Sequence, residues 1–231
     1  ESRGLAPLDA LGGDVRYGVR CLRHSPAFAA AAVLSMAIGI GGNTAIFSLV
    51  NAVLLKTLPV EDPGALVLLG VSGDEDRSGS SFPYPFYRQL RESDDVLAGV
   101  VASASMGPSV EADGPAERAG GELVSGNYFD VLGVRPHLGR LITLEDQATA
   151  APVIVLSHEY WLGRFGGDRS AIGRTIRLNG TPMTIIGVTP PAFEGLEPGG
   201  ARDIRVPVTL QAAMHGGRSR LESPREWWLQ I

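Results

Sequence analysis

The stretch from Ser25 to Leu55 carries no charged side chain, and it constrains the fold more than any other part of the chain. It reads SPAFAAAAVLSMAIGIGGNTAIFSLVNAVLL. An α-helix rises about 1.5 Å per residue, so about 20 apolar residues cross a hydrocarbon core of roughly 30 Å. Because this run is longer, we expect residues 25–55 to form a transmembrane helix that extends into a stalk, with residues 57–231 as a separate domain at one membrane surface.

The charged residues that flank the run predict its orientation. Arg16, Arg20 and Arg23 precede it, whereas Lys56 is the only nearby cation that follows it. Cytoplasmic flanks carry the excess of Lys and Arg, so the N-terminus is predicted in the cytoplasm and residues 57–231 outside. A cleaved signal peptide is the alternative, but its apolar region has only about 7–15 residues.

Residues 1–24 form a cytoplasmic lead-in with helical periodicity. Its apolar residues lie beside the stripe of Arg16, Arg20 and Arg23, which predicts an amphipathic helix whose cations meet lipid headgroups at the membrane interface. A simple topology anchor, with no such lipid contact, is equally consistent with this pattern. Both interpretations keep the lead-in on the cytoplasmic side.

Small and polar residues inside the run predict contacts with other helices. Ala37, Gly41 and Ala45 recur at every fourth position, a spacing that lets two transmembrane helices approach closely. Asn43 and Asn51 add polar groups that lipid alone does not satisfy. Gly and Ala are common in any transmembrane helix, but the polar groups favour a helix that packs on protein.

Charge and composition exclude several classes of function. The formal net charge is −5, and residues 57–231 contain 15 Arg, no Lys and 22 Asp or Glu, a net of −7. Nucleic acid is therefore not an expected partner, because phosphate binding needs a basic face. Lys56 is the only lysine and no Gly-Lys pair exists, so the chain has no P-loop for ATP. Cys21 is the only cysteine, which rules out a disulfide within the chain.

The part after residue 57 has the pattern of a mixed α+β domain. Asn179-Gly180 between two apolar runs is a strong β-hairpin signal. The apolar run 227–231 is strand-like, and we expect the domain to be incomplete at its C-terminus. Predicted strands are 65–71, 117–124, 152–156, 175–178, 183–188 and 206–210; predicted helices are 84–91 and 158–165, the second ended by Gly166-Gly167; residues 96–103 extend the first helix or begin a strand.

The sequence contains no recognisable catalytic, cofactor or metal site. His158-Glu159 begins like a zinc-protease helix, but Leu162 stands where the second ligand would be. Glu145-Asp146 suits a turn or a helix N-terminus better than an acid–base pair. The remaining histidines are isolated in the sequence. We therefore expect no enzyme activity from the chain itself; an anchored hydrolase would need a nucleophile or metal set that the sequence does not offer.

Several short motifs are distributed along the chain: Asp14–Arg20 (DVRYGVR), Ser25–Phe28, Ala37–Phe47 (AIGIGGNTAIF), Val50–Leu55, Gly139-Arg140, Glu145-Asp146, Val153–Ser157 with Trp161, Phe165–Asp168, Ile172–Arg174, Leu178–Gly180, and Ile186–Val188 with Pro190 and Phe193. Together they resemble MacB/FtsX-type ABC transporter permeases, and the sequence looks nearest to the acidobacterial duplicated orphan permease branch. One departure from the family is Arg205, where Trp is more frequent.

This resemblance implies a first transmembrane helix followed by a MacB-like periplasmic core domain, in a multi-pass protein of the bacterial inner membrane. It implies a permease subunit that couples ATP hydrolysis on a separate ABC ATPase subunit to movement of an extracytoplasmic domain, in efflux or mechanotransmission. Expected partners are that ATPase, a second permease copy or duplicated half, membrane lipids and a periplasmic adaptor. The alternative from the residues alone is a single-span, membrane-anchored binding or sensing domain.

Overall fold

The computed structural model describes residues 20, 23–54, 60–71, 79–93, 97–112, 114–196 and 202–231. The chain divides into two compact units, Glu1–Lys56 and Thr57–Ile231. The first unit contains one long helix, and the second contains all the described strands.

Helix α1 spans Pro26–Leu54 and is 29 residues long. It begins after Ser25, whose carbonyl accepts a 3.0 Å hydrogen bond from the Ala29 N–H, with Pro26 in the first turn, where its missing N–H costs no hydrogen bond. The helix measures about 43 Å at 1.5 Å per residue. Pro26–Ser48 is long and apolar enough to cross a membrane. The predicted apolar helix of membrane-spanning length is thus confirmed.

One nine-stranded sheet organises the described part of the second unit. The strand order is β1-β4-β9-β6-β8-β7-β2-β3, and β5 pairs with β8. The β4–β9 and β6–β8 pairs are parallel, and the other described pairs are antiparallel. The strands are β1 Ser103–Met106, β2 Ser109–Glu111, β3 Glu117–Arg118, β4 Gly121–Val124, β5 Leu138–Gly139, β6 Val153–Leu156, β7 Thr175–Leu178, β8 Thr181–Val188 and β9 Ile204–Pro207.

Short helices connect these strands, so the predicted α+β class is confirmed. Single-turn 3₁₀ helices lie at Pro63–Ala65, Arg169–Ala171 and Val208–Leu210. The α-helices of this unit are α2 Tyr84–Glu92, α3 Tyr128–Val131, α4 Leu144–Ala148, α5 His158–Phe165 and α6 Gln211–Met214.

The sheet buries side chains on both faces. Successive side chains of a strand point to opposite faces, and the central strands follow this rule. Ile154 and Leu156 of β6 join the larger core, which also contains Trp161 and the α2 residues Tyr84 and Tyr87. Val155 joins a second, smaller core of Val124, Tyr128, Phe129, Leu132, Leu141, Ile142, Val155 and Phe193.

Local signals placed two elements correctly. The β7–β8 hairpin turns at Asn179 and Gly180, whose φ angles of 47° and 78° are the left-handed values that a two-residue hairpin turn requires. Helix α5 covers the predicted residues. The Ser157 hydroxyl accepts a hydrogen bond from the Tyr160 N–H at its start, and Gly166 ends it at φ 61°.

Two strand predictions were wrong in whole or in part. The predicted strand 65–71 is not formed: Ala65 ends a 3₁₀ helix, Val71 makes a single bridge with Gly79, and no described strand pairs with residues 66–70. Val67 and Leu68 are 70% and 64% exposed. The predicted strand 206–210 lies instead at Ile204–Pro207 and is followed by a 3₁₀ turn. Pro207 lacks the N–H that a continued ladder would need.

The remaining predictions hold with adjusted boundaries. Helix α2 extends one residue past the predicted 84–91 segment. The 117–124 segment becomes two strands, β3 and β4, and residues 96–103 reach β1 only at Ser103. In the 227–231 run, Leu229 and Gln230 form single bridges with Phe82 and Ser103.

Candidate functional site

The described residues do not assemble a metal centre. No three His, Cys, Asp or Glu side chains among them lie close enough to share an ion. Glu145 and Asp146 begin α4, where Asp146 and Thr143 form a reciprocal capping box, as the sequence predicted for a helix N-terminus. His137 corrects the expectation that the histidines are isolated: its ring meets His158 edge-on at 4.8 Å.

The beginning and the end of the second unit lie side by side at a place that we call the junction. Its leading residues 60–71 follow the linker from the first unit. The Glu61 N–H donates to the Leu132 carbonyl at 3.2 Å, and the Leu69 N–H donates to the Ile231 carbonyl at 2.9 Å. The leading segment is thereby tied both to the end of α3 and to the last residue of the chain.

A mostly apolar cavity of about 430 Å³ lies at the junction. Glu61 also passes close over Gly133, where a Cβ would collide with the Glu61 carboxylate. Gly133 has a φ of 67°, so this position needs glycine for its backbone angle and for the close approach. Residues that line the cavity include Val60, Leu66, Leu69, Val100, Leu132 and Ile231.

Next to the smaller core, a buried ion pair joins two parallel strands. Glu122 of β4 and Arg205 of β9 are register partners, and the Arg205 Nε–H donates to Glu122 Oε2 at 3.0 Å. The two side chains are 8% and 0% exposed. A buried charge is tolerated only when it is paired and its hydrogen-bonding groups are satisfied.

Arg205 also holds the loop between β8 and β9. Its guanidinium donates to the carbonyls of Glu194, at 3.1 Å, and Arg202, at 3.3 Å, and lies 4.9 Å from the Phe193 ring centroid. The planar guanidinium therefore packs on an aromatic ring. Stacking of this kind explains how an arginine fits this core position.

Tyr128 connects the buried pair to the smaller core. Its hydroxyl donates to Glu122 Oε1 at 3.4 Å, and its ring packs against Phe129 and Phe193. Burial, together with the neighbouring Glu122 carboxylate, raises the pKa of Tyr128 well above its usual value. The phenol therefore stays neutral and acts as a hydrogen-bond donor. Through Phe129 and Leu132, the same core reaches the junction.

A second Arg–carboxylate pair lies at the margin of the sheet. Arg140 binds Asp146 through both terminal nitrogens, at 2.6 and 2.8 Å. Burial pushes the pKa of Asp146 up, but hydrogen bonds from Arg140 and Thr143 outweigh it, and the pKa lies below its usual value. The backbone at Arg140 is pressed against Gly187 of β8, where a Cβ would collide with the Arg140 carbonyl.

These contacts explain motifs on which the family resemblance depends. Gly139-Arg140, Glu145-Asp146 and Ile186–Val188 are distant in sequence but form one cluster, built on the β5–β8 pairing. Asn179 of the hairpin accepts from the Ser109 N–H at 2.8 Å and donates to the Met214 carbonyl at 3.0 Å, so it links β2 to α6.

The residues predicted to contact lipid or other helices lie in the first unit. Arg16 is outside the described residues, whereas Arg20 and Arg23 are described and exposed. Ala37, Gly41, Asn43 and Ala45 are exposed along α1. Asn51 lies within α1, in a part whose side chains the structure does not describe. Within the described chain, no side chain packs on Gly41.

Sequence reasoning missed the junction and the role of Glu122. Glu122 and Arg205 are 83 positions apart, and neither lies in a motif with a chemical signature. The one available signal was that each of two apolar strand segments contains a charged residue. A charged side chain that is buried in a strand needs an oppositely charged partner. The junction had no signal, because its leading segment resembled a strand.

Comparison with known proteins agrees with this architecture. The family of MacB-like periplasmic core domains matches residues 29–230. The periplasmic region of MacB from Actinobacillus actinomycetemcomitans is similar, with a TM-score of 0.52, 20% identity, and coverage of 71% of this chain and 72% of that one. The extracellular domain of the noncanonic ABC-type transporter YknZ from Gram-positive bacteria gives a TM-score of 0.53 and 20% identity, over 71% of this chain and 80% of that one.

None of the curated proteins compared with the chain matches it. At 20% identity the two solved structures support the fold alone, whereas the family match extends over most of the chain and includes part of α1. The chain therefore belongs to the family of MacB-like periplasmic core domains, which are parts of ABC transporter permeases.

Proposed function

We propose that the chain is part of an ABC transporter permease subunit of the bacterial inner membrane, with α1 crossing the bilayer and residues 57–231 on the extracytoplasmic side. The observation that carries the proposal is the family match, which covers residues 29–230 and so includes part of α1 as well as the second unit. The three arginines before α1 support a cytoplasmic N-terminus.

In this proposal the chain is not an enzyme, and ATP is hydrolysed by an ABC ATPase on another chain. Movement of the transmembrane helices reaches the domain through the linker and then the junction. There, residues 60–71 are hydrogen-bonded to Leu132 and Ile231. Because Leu132 belongs to the smaller core, a displacement of the leading segment acts on packed side chains rather than on a loose loop.

The exposed row Ala37, Gly41 and Ala45, with Asn43 and Asn51, is proposed as the surface that packs on other transmembrane helices of the permease. Arg16, Arg20 and Arg23 are proposed to lie at the cytoplasmic headgroup region. A second permease copy or duplicated half and a periplasmic adaptor complete the proposed set of partners. These assignments depend on the helix pattern and the family resemblance.

A tagged full-length gene product, purified from its native membranes in mild detergent, tests this proposal. An ABC ATPase should co-purify, and the complex should hydrolyse ATP. Co-purification should be lost when Gly41 and Ala45 are both changed to Leu, if the small-residue row packs on the assembly; Ile38→Leu and Ile40→Leu on the same helix are the matched control. Purification of the full-length protein without any ATPase would favour the single-span sensing domain instead.

A further inference from the structure

A second cavity, of about 380 Å³, opens on the surface of the second unit. It shares no lining residue with the junction cavity. We call it the cationic cavity. Hydrogen-bond donors predominate in its lining, and Glu226 supplies its only carboxylate. Its lining residues are His215, Arg218, Arg220, Glu226, Trp227 and Trp228.

The cationic cavity has an excess of positive charge. The Glu226 carboxylate lies 2.6 Å from Arg218 Nη2 and 3.2 Å from Arg220 Nε. One carboxylate thus faces two guanidiniums, which leaves a net charge of +1, whereas residues 57–231 together have a net charge of −7. The guanidinium nitrogens that do not contact Glu226 can donate hydrogen bonds to phosphate or carboxylate oxygens.

The loop that carries the two arginines is held in place by a fully buried amide. The Gln211 side chain donates to the Arg218 carbonyl at 3.0 Å and accepts from the Arg220 N–H at 2.7 Å. Gly216 and Gly217, at φ 74° and 86°, make the turn that brings the loop back to α6. Because the backbone is fixed before a ligand arrives, less entropy is lost on binding.

Aromatic rings supply the other side of the cavity. Trp227 is 50% exposed and stacks on Phe82 at 6.0 Å, and Phe82 in turn stacks on Phe86 at 5.1 Å. The buried Trp228 Nε1–H has no hydrogen-bond acceptor among the described residues. An exposed indole supported from behind offers a flat apolar surface next to the cations.

We propose that the cationic cavity binds a ligand that carries a phosphate or carboxylate on an apolar body. The anionic group accepts hydrogen bonds from the guanidinium nitrogens of Arg218 and Arg220 that do not contact Glu226, and the apolar body packs on Trp227. Such a ligand is either a soluble organic anion or an anionic lipid. This site does not depend on the proposed coupling to an ATPase, so each proposal can fail without the other.

Calorimetric titration of the full chain in a neutral detergent tests the site with four probes: phenyl phosphate, dihexanoyl phosphatidic acid, inorganic phosphate and benzyl alcohol. We expect phenyl phosphate, the lipid or both to bind at one site, at least about tenfold more tightly than inorganic phosphate or benzyl alcohol. Tighter binding of the lipid indicates a membrane source, and tighter binding of phenyl phosphate a soluble one.

Two variants locate the binding. The double change Arg218→Gln and Arg220→Gln should weaken binding at least about tenfold, and Trp227→Ser should weaken binding of the apolar probes but not of inorganic phosphate. Arg169→Gln, at an exposed arginine of a 3₁₀ turn outside the cavity, is the control and should have no effect. Binding that is unchanged in the double variant, equal binding of benzyl alcohol, or no binding of any anionic probe would overturn the proposal.

Discussion

Two of the Arg–carboxylate pairs in the second unit lie in contrasting surroundings. Glu122 and Arg205, at 8% and 0% exposure, are closed off between the central strands β4 and β9. Asp146 is similarly buried at 7%, but Arg140 is 52% exposed at the margin of the sheet. A guanidinium that water can reach has lost little of its hydration, whereas Arg205 has lost nearly all of it. The central pair is therefore costly to break, and the marginal pair is not.

The two pairs also connect different elements of the fold. Arg205 reaches across to carbonyls of the β8–β9 loop and to Phe193, and Glu122 reaches Tyr128 of α3. Arg140 and Asp146 fix the turn between them and the start of α4, beside the β5–β8 pairing. The central pair thus links the sheet to the smaller core next to the junction, and the marginal pair stabilises a local motif.

Breaking the central pair should give the largest effect. Arg205→Met leaves Glu122 charged, buried and unpaired, and should lower the free energy of unfolding by about 3–5 kcal/mol. Adding Glu122→Leu should restore most of this loss, because two apolar side chains need no partner. Denaturant unfolding of the full chain in detergent measures both. A loss below about 1 kcal/mol for Arg205→Met would mean that water already reaches the pair.

Backbone crowding at the margin of the sheet should give the second-largest loss in the free energy of unfolding. Gly187→Ala places a Cβ against the Arg140 carbonyl, so β5 must move away from β8, and we expect a loss of about 2–3 kcal/mol. Gly163→Ala is the matched control: it lies in α5 with open space around the added Cβ and should stabilise the chain by up to about 1 kcal/mol. Equal melting temperatures for the two variants would contradict the crowding.

The charge of the marginal pair should give a smaller, pH-dependent effect. The pKa of Asp146 is lower in the folded chain, so its contribution is complete above the unfolded-state pKa of about 4 and is lost as the pH falls through the folded-state value. Asp146→Asn should cost about 1–2 kcal/mol at pH 7. The difference from the parent should shrink towards pH 3 in unfolding curves. A constant difference would assign the cost to packing rather than to charge.

Breaking an exposed ion pair should give the smallest change in the free energy of unfolding. Arg88 and Glu222 lie 3.7 Å apart with side chains 49% and 78% exposed. Glu222→Gln should change the free energy of unfolding by less than about 0.5 kcal/mol, because water and salt screen such a pair. A larger loss would show that exposure alone does not set the order of the three pairs.

Local chemistry made part of this fold predictable. The turn at Asn179-Gly180 and the ends of α5 follow from residues within four positions of each other, and α1 follows from an unbroken apolar run. The pairing of Glu122 with Arg205 depends on a parallel register between distant strands, which no local pattern encodes. Leu66, Val67 and Leu69 line the junction cavity, and apolar character alone cannot distinguish such a segment from a strand.

The central proposal is that α1 moves as a rigid helix and passes this movement through the linker to the junction. The measurement uses the full-length protein with its ATPase, with spin labels at Arg169→Cys of two permease copies. Cys21 and every other native cysteine of the full-length protein are first replaced by Ser. ATP should change the distance between the labels. Three residues inserted after Asn51 rotate the following helix by about 300° and should abolish the change, whereas seven residues, close to two full turns, should preserve it. An ATP-dependent change that survives both insertions alike would contradict the claim.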